Sequence, residues 1–136
     1  DRAGDKTIIS AGNNKIFTGT TTLVDKTSSI TTPTANNWKA VNFNDDTYLF
    51  QRGHTPVMMD NAGAFSDMTG SPPEANEVCA AYGRLWAADT NSNKYTVYWS
   101  DLLIGDAWTG GTSGSVDLTT VFPNGHDEIV AHAAHN

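Results

Sequence analysis

The chain has 136 residues, with eight Lys or Arg against fifteen Asp or Glu, a formal net charge of −7 and a single cysteine. That length holds one modest domain with its own core. The acidic balance and scattered basic residues exclude a surface built to grip nucleic-acid phosphates, which takes clustered Lys and Arg; they leave room for a wall that DNA slides past. Cys79 alone excludes a disulfide framework within the chain, and its apolar run makes it a buried small hydrophobe. No apolar run approaches the roughly 20 residues of a membrane-spanning helix, and no signal peptide is visible.

Taken in order, residues 1–6 form a charged, Gly-containing start. Short β-type runs follow at 7–11, 15–19 and 21–25, with a turn at Gly12-Asn13-Asn14 and a Thr/Ser/Pro-rich connection over 27–37. Residues 38–43 and 47–51 read as strands around an Asn44-Asp45-Asp46 turn. Arg52-Gly53-His54 turns the chain again before a strand at 55–60, and a weaker strand at 64–68 follows Asn61-Ala62-Gly63. Gly70 to Glu74, with Pro72-Pro73, is the strongest punctuation in the chain. No helical periodicity survives one loop.

The stretch 78–108 organises the rest. It contains three of the four tryptophans and reads as strands at 78–82, 85–88 and 95–100. Gly83-Arg84 is the first turn between them, and Asp89-Thr90-Asn91-Ser92-Asn93 a solvated polar loop. Tyr95, Val97 and Trp99 point one way, and Thr96, Tyr98 and Ser100 the other. Apolar residues on both faces predict an antiparallel meander covered on both sides. The same strand–turn–strand–strand pattern recurs, giving blade-like units at about 6–34, 35–72 and 73–124, with another beginning at 125–136. A Gly/Ser/Thr/Pro insertion fills 110–125. The apolar run 129–134 reads as the first strand of a further blade. The fold expectation is therefore all-β: antiparallel meanders of three to four short strands, blades of a partial β-propeller, within a piece of a longer protein.

Each candidate for chemistry has a local structural explanation. His132 and His135, three apart on an expected strand, point to opposite faces and cannot share a metal. His54 falls in a turn, and His126-Asp127-Glu128 forms a charged loop without convergent ligands. Asp89 to Asn93 opens like a calcium loop, but Lys94 and Ser100 occupy the positions that need Gly and Glu. Asp45, Asp46 and Asp60 could be imagined as a glycosidase carboxylate pair, yet each sits at a turn, where Asp caps its own backbone. Gly110, Gly111 and Gly114 lack the Lys-Ser/Thr and helix of a phosphate loop. Ser100-Asp101 with Gly105-Asp106-Ala107-Trp108 is similar to the Asp-box turn of sialidase propellers, with extra residues between its halves; Ser100 and Asp101 are read as turn caps and Trp108 as blade packing. The expectation is no catalytic, cofactor-binding or metal-binding residue, and no cofactor.

The run AAYGRLWAADT (80–90), then YTVYWSDL (95–102), then GDAW (105–108), resembles blades of the tail tubular protein B family, the nozzle proteins of short-tailed bacteriophages. GSVDLTTVFPNGHDEIVAHAAHN (114–136) is similar to the link by which those proteins enter the next blade. The resemblance is strongest over about 74–136 and weaker over 35–70. It implies a non-enzymatic role in the virion: a ring of identical copies at the distal tail, in contact with adaptor and fibre proteins, around a channel for genome exit, with DNA passing unbound. Trp38, Trp86, Trp99 and Trp108 would then be packing aromatics, and Trp99→Ala would impair folding or ring assembly.

A carbohydrate-binding or carbohydrate-active β-propeller is the alternative; it predicts two coplanar exposed rings in a cleft beside paired carboxylates, where the structural reading predicts buried tryptophans. A plain β-sandwich interaction domain is the third possibility.

Overall fold

In a computed structural model, residues 7–124 and 127–134 are described. They form three separate antiparallel sheets, each wound as a simple meander from one contiguous stretch. The first holds β1 (Ile9–Ala11), β2 (Ile16–Thr18) and β3 (Val24–Asp25). The second holds β4 (Lys39–Phe43), β5 (Asp46–Gln51), β6 (His54–Met59) and β7 (Phe65–Asp67). The third holds β8 (Ala75–Ala81), β9 (Arg84–Thr90), β10 (Thr96–Trp99) and β11 (Gly114–Asp117). The chain is all-β with blade-like meanders, as its alternating short apolar runs predict.

The sheets stack face to face, and the period of two assigns each side chain to a layer. Along β5, Tyr48 and Phe50 join Met68, Leu85, Ala87 and Trp108 in a core between the second and third sheets. Leu49, between them in sequence, joins Ile16, Val57 and Phe65 in a core between the first and second. The middle sheet is thus buried on both faces. The sequence predicted two-sided cover for 78–108; it is fullest over 46–59. In the third sheet Val78, Ala80, Leu85, Ala87 and Tyr98 face inward, while Trp86 and Trp99, paired across β9 and β10, share the outer face.

Turn chemistry sets the registers. Asn44 (φ 51°) with Asp45 (φ 70°), and Tyr82 (φ 53°) with Gly83 (φ 71°), are two-residue turns with both central residues at positive φ, which suits the twist of flanking strands. The second turn therefore lies one residue earlier than Gly83-Arg84, and Arg84 opens β9. Between β5 and β6 the register slips by one residue past Leu49. Pro56 explains the slip. It sits in a strand paired on both sides, it cannot donate to the ladder, and a bulge absorbs the missing hydrogen bond.

Several boundaries differ from expectation. β9 runs on through Asp89 and Thr90, so both are buried strand residues rather than members of a solvated loop. His54 is not a turn residue but the buried first residue of β6. The Gly-rich insertion contains β11, paired along the whole of β10, and a single helical turn, α1 (Leu118–Val121). Asp117 caps that turn by accepting from the Thr119 N–H, where no helix was expected. Residues 129–134 form no strand; they run along the third sheet, with the Ile129 N–H donating to the Lys94 carbonyl at 3.0 Å and His132 Nε2 3.0 Å from the Trp86 carbonyl oxygen. His132 is therefore packed against the sheet instead of standing on a strand in solvent. His126 and His135 lie outside the described residues.

Candidate binding cleft

The loop 101–112 is held by a dense set of hydrogen bonds. Ser100, fully buried, accepts from the Leu85 N–H and donates to the Asp101 carbonyl. The Asp101 carboxylate accepts from the N–H groups of Leu102 and Thr112 and from the Thr112 hydroxyl. The Thr112 hydroxyl and backbone hold the Asp101 carboxyl below the usual carboxylate range. Arg84 closes the ring by donating to the Ser100 and Thr112 carbonyls. Asp101 caps its turn through these bonds, and Ser100, read from sequence as a turn cap, ties β9 to the start of the loop.

Trp108 is docked by its N–H to the Gly70 carbonyl, by its indole N–H to the Gly105 carbonyl, and by an edge-on contact with Phe50 at 6.0 Å. Two glycines make this close approach possible. A Cβ on Gly70 would lie 1.5 Å from the Asp106 carbonyl oxygen, and one on Gly105 would lie 2.5 Å from the Tyr48 ring.

Beside Trp108 opens a cleft of about 440 Å³, within the size range of small-molecule sites. Tyr98 and Trp108 supply its aromatic surface, and Glu74, Asn91, Thr109 and Ser115 much of its polar rim. It lies where the 70–74 linker, the loop after β9 and the inner side of β10 and β11 meet. An ion pair with its acidic partner buried fixes its wall. Arg52, in the β5–β6 turn, pairs with Asp89 near the end of β9, and the next turn residue, Gly53, donates to the Glu74 carbonyl at 3.2 Å. Asp89 is only 4% exposed and holds φ 65°. Asn91 packs over Gly53 so closely that a Cβ there would meet its amide nitrogen. The cleft wall is thus tied to two sheets at once.

The remaining candidates disperse. Asp45 and Asp46 flank a hairpin, while Asp60 accepts from the Ala62 and Ala64 N–H groups in the next one. Burial raises the Asp46 carboxyl, and burial, then the nearby Asp46 and Asp106 charges, push the Tyr48 phenol up to about 12. His54 lies with Nδ1 2.6 Å from the Thr55 carbonyl oxygen and Nε2 3.0 Å from that of Thr31, edge-on to Trp38. The Cys79 thiol is pushed up by burial, away from a reactive thiolate. Among the described residues no group of three His, Cys, Asp or Glu converges as metal ligands.

Of the four tryptophans, Trp108 alone lies in the buried core, at 8% exposure, with part of its ring lining the cleft. Trp38 is half-buried at the edge of the first core, its indole N–H donating to the Gly12 carbonyl at 3.3 Å. Trp86 and Trp99 are half-buried on the outer face, 5.6 Å apart and tilted by 42°, with their N–H groups donating to the Ala81 and Thr112 carbonyls. They are neither core residues nor a coplanar exposed platform. The cleft itself was missed in sequence, where its lining residues are spread over several short segments.

No helix among the described residues is long and apolar enough to cross a membrane. Compared with known proteins, the chain matches no family, no curated protein and no solved structure.

Proposed function

We propose that this chain is a non-enzymatic structural part of a short-tailed bacteriophage tail, a blade-bearing segment of a nozzle-type protein. Copies assemble into a ring around a DNA channel and meet adaptor and fibre proteins in the virion. The likeness of residues 80–108 to nozzle blades supports this reading, as does the stacking of three meanders.

One observation carries it beyond resemblance. Leu102, Leu103 and Ile104 are 50%, 62% and 49% exposed at one end of the third sheet, next to Tyr82 at 72%. Contiguous exposed apolar groups mark interaction surfaces. This tip is held rather than loose. The Leu103 N–H donates to the Gly83 carbonyl at 2.8 Å, and its carbonyl accepts from the Asn44 amide at 2.7 Å. Leu103 itself sits at φ 62°, a conformation that costs a leucine about 1–2 kcal/mol. Strain kept in order to present an apolar side chain to solvent fits a surface covered on assembly.

Electron microscopy of the native assembly tests the reading. Rings around an open channel at a tail tip, lost in a Leu103→Asp variant, are expected. A free monomer or small oligomer in the native source would overturn it.

A further inference from the structure

We infer that the cleft between the 70–74 linker and the inner side of β10 and β11 binds an uncharged saccharide. The inference is independent of the tail assignment and stands or falls on this cleft alone. Several acidic side chains at turns and strand ends are engaged within the fold: Asp101 with Thr112, Asp67 with Thr31, Asp60 with its own turn. Around this cleft several polar side chains instead gather about one concavity. The side chains of Glu74, Asn91, Ser115 and Thr109, and the Tyr98 hydroxyl, make no hydrogen bond to any described residue, though all line one concavity. They form a set of donors and acceptors facing a common volume, beside two aromatic rings.

The chemistry of that lining selects the ligand class. Among the described residues no Lys, Arg or His lines the cleft, so none of them balances a phosphate or carboxylate, which wants Arg or Lys. Glu74 is the only acid lining it among the described residues, and a hard divalent cation needs six or more oxygen ligands, usually with several carboxylates. An apolar peptide side chain would leave the hydroxyl and amide rim unpaired, at a cost. A pyranose suits both parts of the lining: its hydroxyls exchange hydrogen bonds with Glu74, Asn91, Tyr98 and Ser115, and its C–H face lies on the rings of Tyr98 and Trp108. The rim is also pre-positioned, since Asn91 is seated on Gly53 and Trp108 is fixed by both its N–H groups. Positioned groups bind without a large ordering cost.

Two-dimensional NMR of the ¹⁵N-labelled chain, titrated separately with lactose, maltose and N,N′-diacetylchitobiose, tests the inference. Saturable shifts are expected at the Asn91 side-chain amide, the Trp108 indole N–H and the Ser115 amide with at least one of the three, at sub-molar affinity near about 1–10 mM. Tyr98→Phe and Asn91→Ala should each weaken that binding by about tenfold while leaving the amide spectrum of the β-core unchanged. Absence of saturable shifts with all three sugars at about 50 mM would overturn the inference. So would shifts that both variants leave intact, or the same resonances responding to calcium chloride or inorganic phosphate in place of the sugars.

Discussion

Replacing Asp89 with Asn would test whether the Arg52–Asp89 pair joins the second and third sheets. Asn is the right probe because it keeps the shape of Asp and tolerates the left-handed φ of 65°. Asp89→Ala would add backbone strain and confuse the result. Breaking a buried ion pair from one side costs about 3–5 kcal/mol, because the other charge is left without a partner. Asp89 meets that condition, but the Arg52 side chain is 34% exposed, and water can take up part of its charge. The expected cost of Asp89→Asn is therefore lower, about 2–3 kcal/mol. Arg52→Met, which strands the more buried partner, should cost as much or more. The double variant should cost less than the sum by about 1–2 kcal/mol, since neither charge is then stranded. Urea unfolding followed by tryptophan fluorescence reads each value. With a slope of about 1–3 kcal/mol per molar, Asp89→Asn should lower the midpoint by about 1–2 M. Strict additivity of the two single variants would refute the idea that the pair couples the sheets.

Trp108→Ala should cost about 3–5 kcal/mol by emptying the inner core, and Trp99→Ala, whose half-buried ring is shared with Trp86, about 1–3 kcal/mol; calorimetric melting of both variants checks the order, and equal losses would count against the layer assignment. Leu103→Gly should leave the isolated chain as stable or up to about 1 kcal/mol more stable, by relieving its positive φ, yet weaken any assembly through the tip, as sedimentation velocity would reveal. Stability should fall in acid. The Lys15 ammonium and then Thr27 hold the Asp25 carboxyl at about 2, and Asp101 is also held low. Lowered carboxyls contribute fully above their unfolded value near about 4, and that contribution is lost as pH falls through the folded values. Melting temperature across that window, compared between the parent chain and Asp25→Asn, should show a shallower decline in the variant. Ser100→Ala strands the buried Leu85 N–H and should cost about 1–2 kcal/mol in the same urea assay.

Strand periodicity was legible because each β run alternates faces over several residues, and Tyr48-Leu49-Phe50 divides between two cores as alternation requires. Turn positions were legible to within a residue, since Asn-Asp and Tyr-Gly turns advertise positive φ through Asn, Asp and Gly. β11 was not: Gly114-Ser115-Val116-Asp117 has almost no β propensity and exists because β10 offers it an edge. Asp89 misled for a related reason. A polar residue among Thr, Asn and Ser looks like a loop until a partner 37 positions away, Arg52, makes its burial affordable. The cleft was invisible because its lining comes from five separated stretches, 71–74, 90–92, 98, 108–109 and 114–115, and no local pattern encodes convergence. The expectation of four packing tryptophans holds in the buried core for Trp108 alone; Trp38, Trp86 and Trp99 are half-buried.

The winding of each sheet from one contiguous stretch has a kinetic consequence. Every strand pairing is made between neighbours in sequence, so each meander closes short connections apart from the 100–113 loop between β10 and β11, a property of fast-folding topologies. The two inter-sheet faces, with polar links such as Arg52–Asp89, join these units into one cooperative body. The middle sheet, which belongs to both faces, should be the last to exchange its amide hydrogens. The first sheet, with strands of two or three residues, should open and close many times before the rest unfolds.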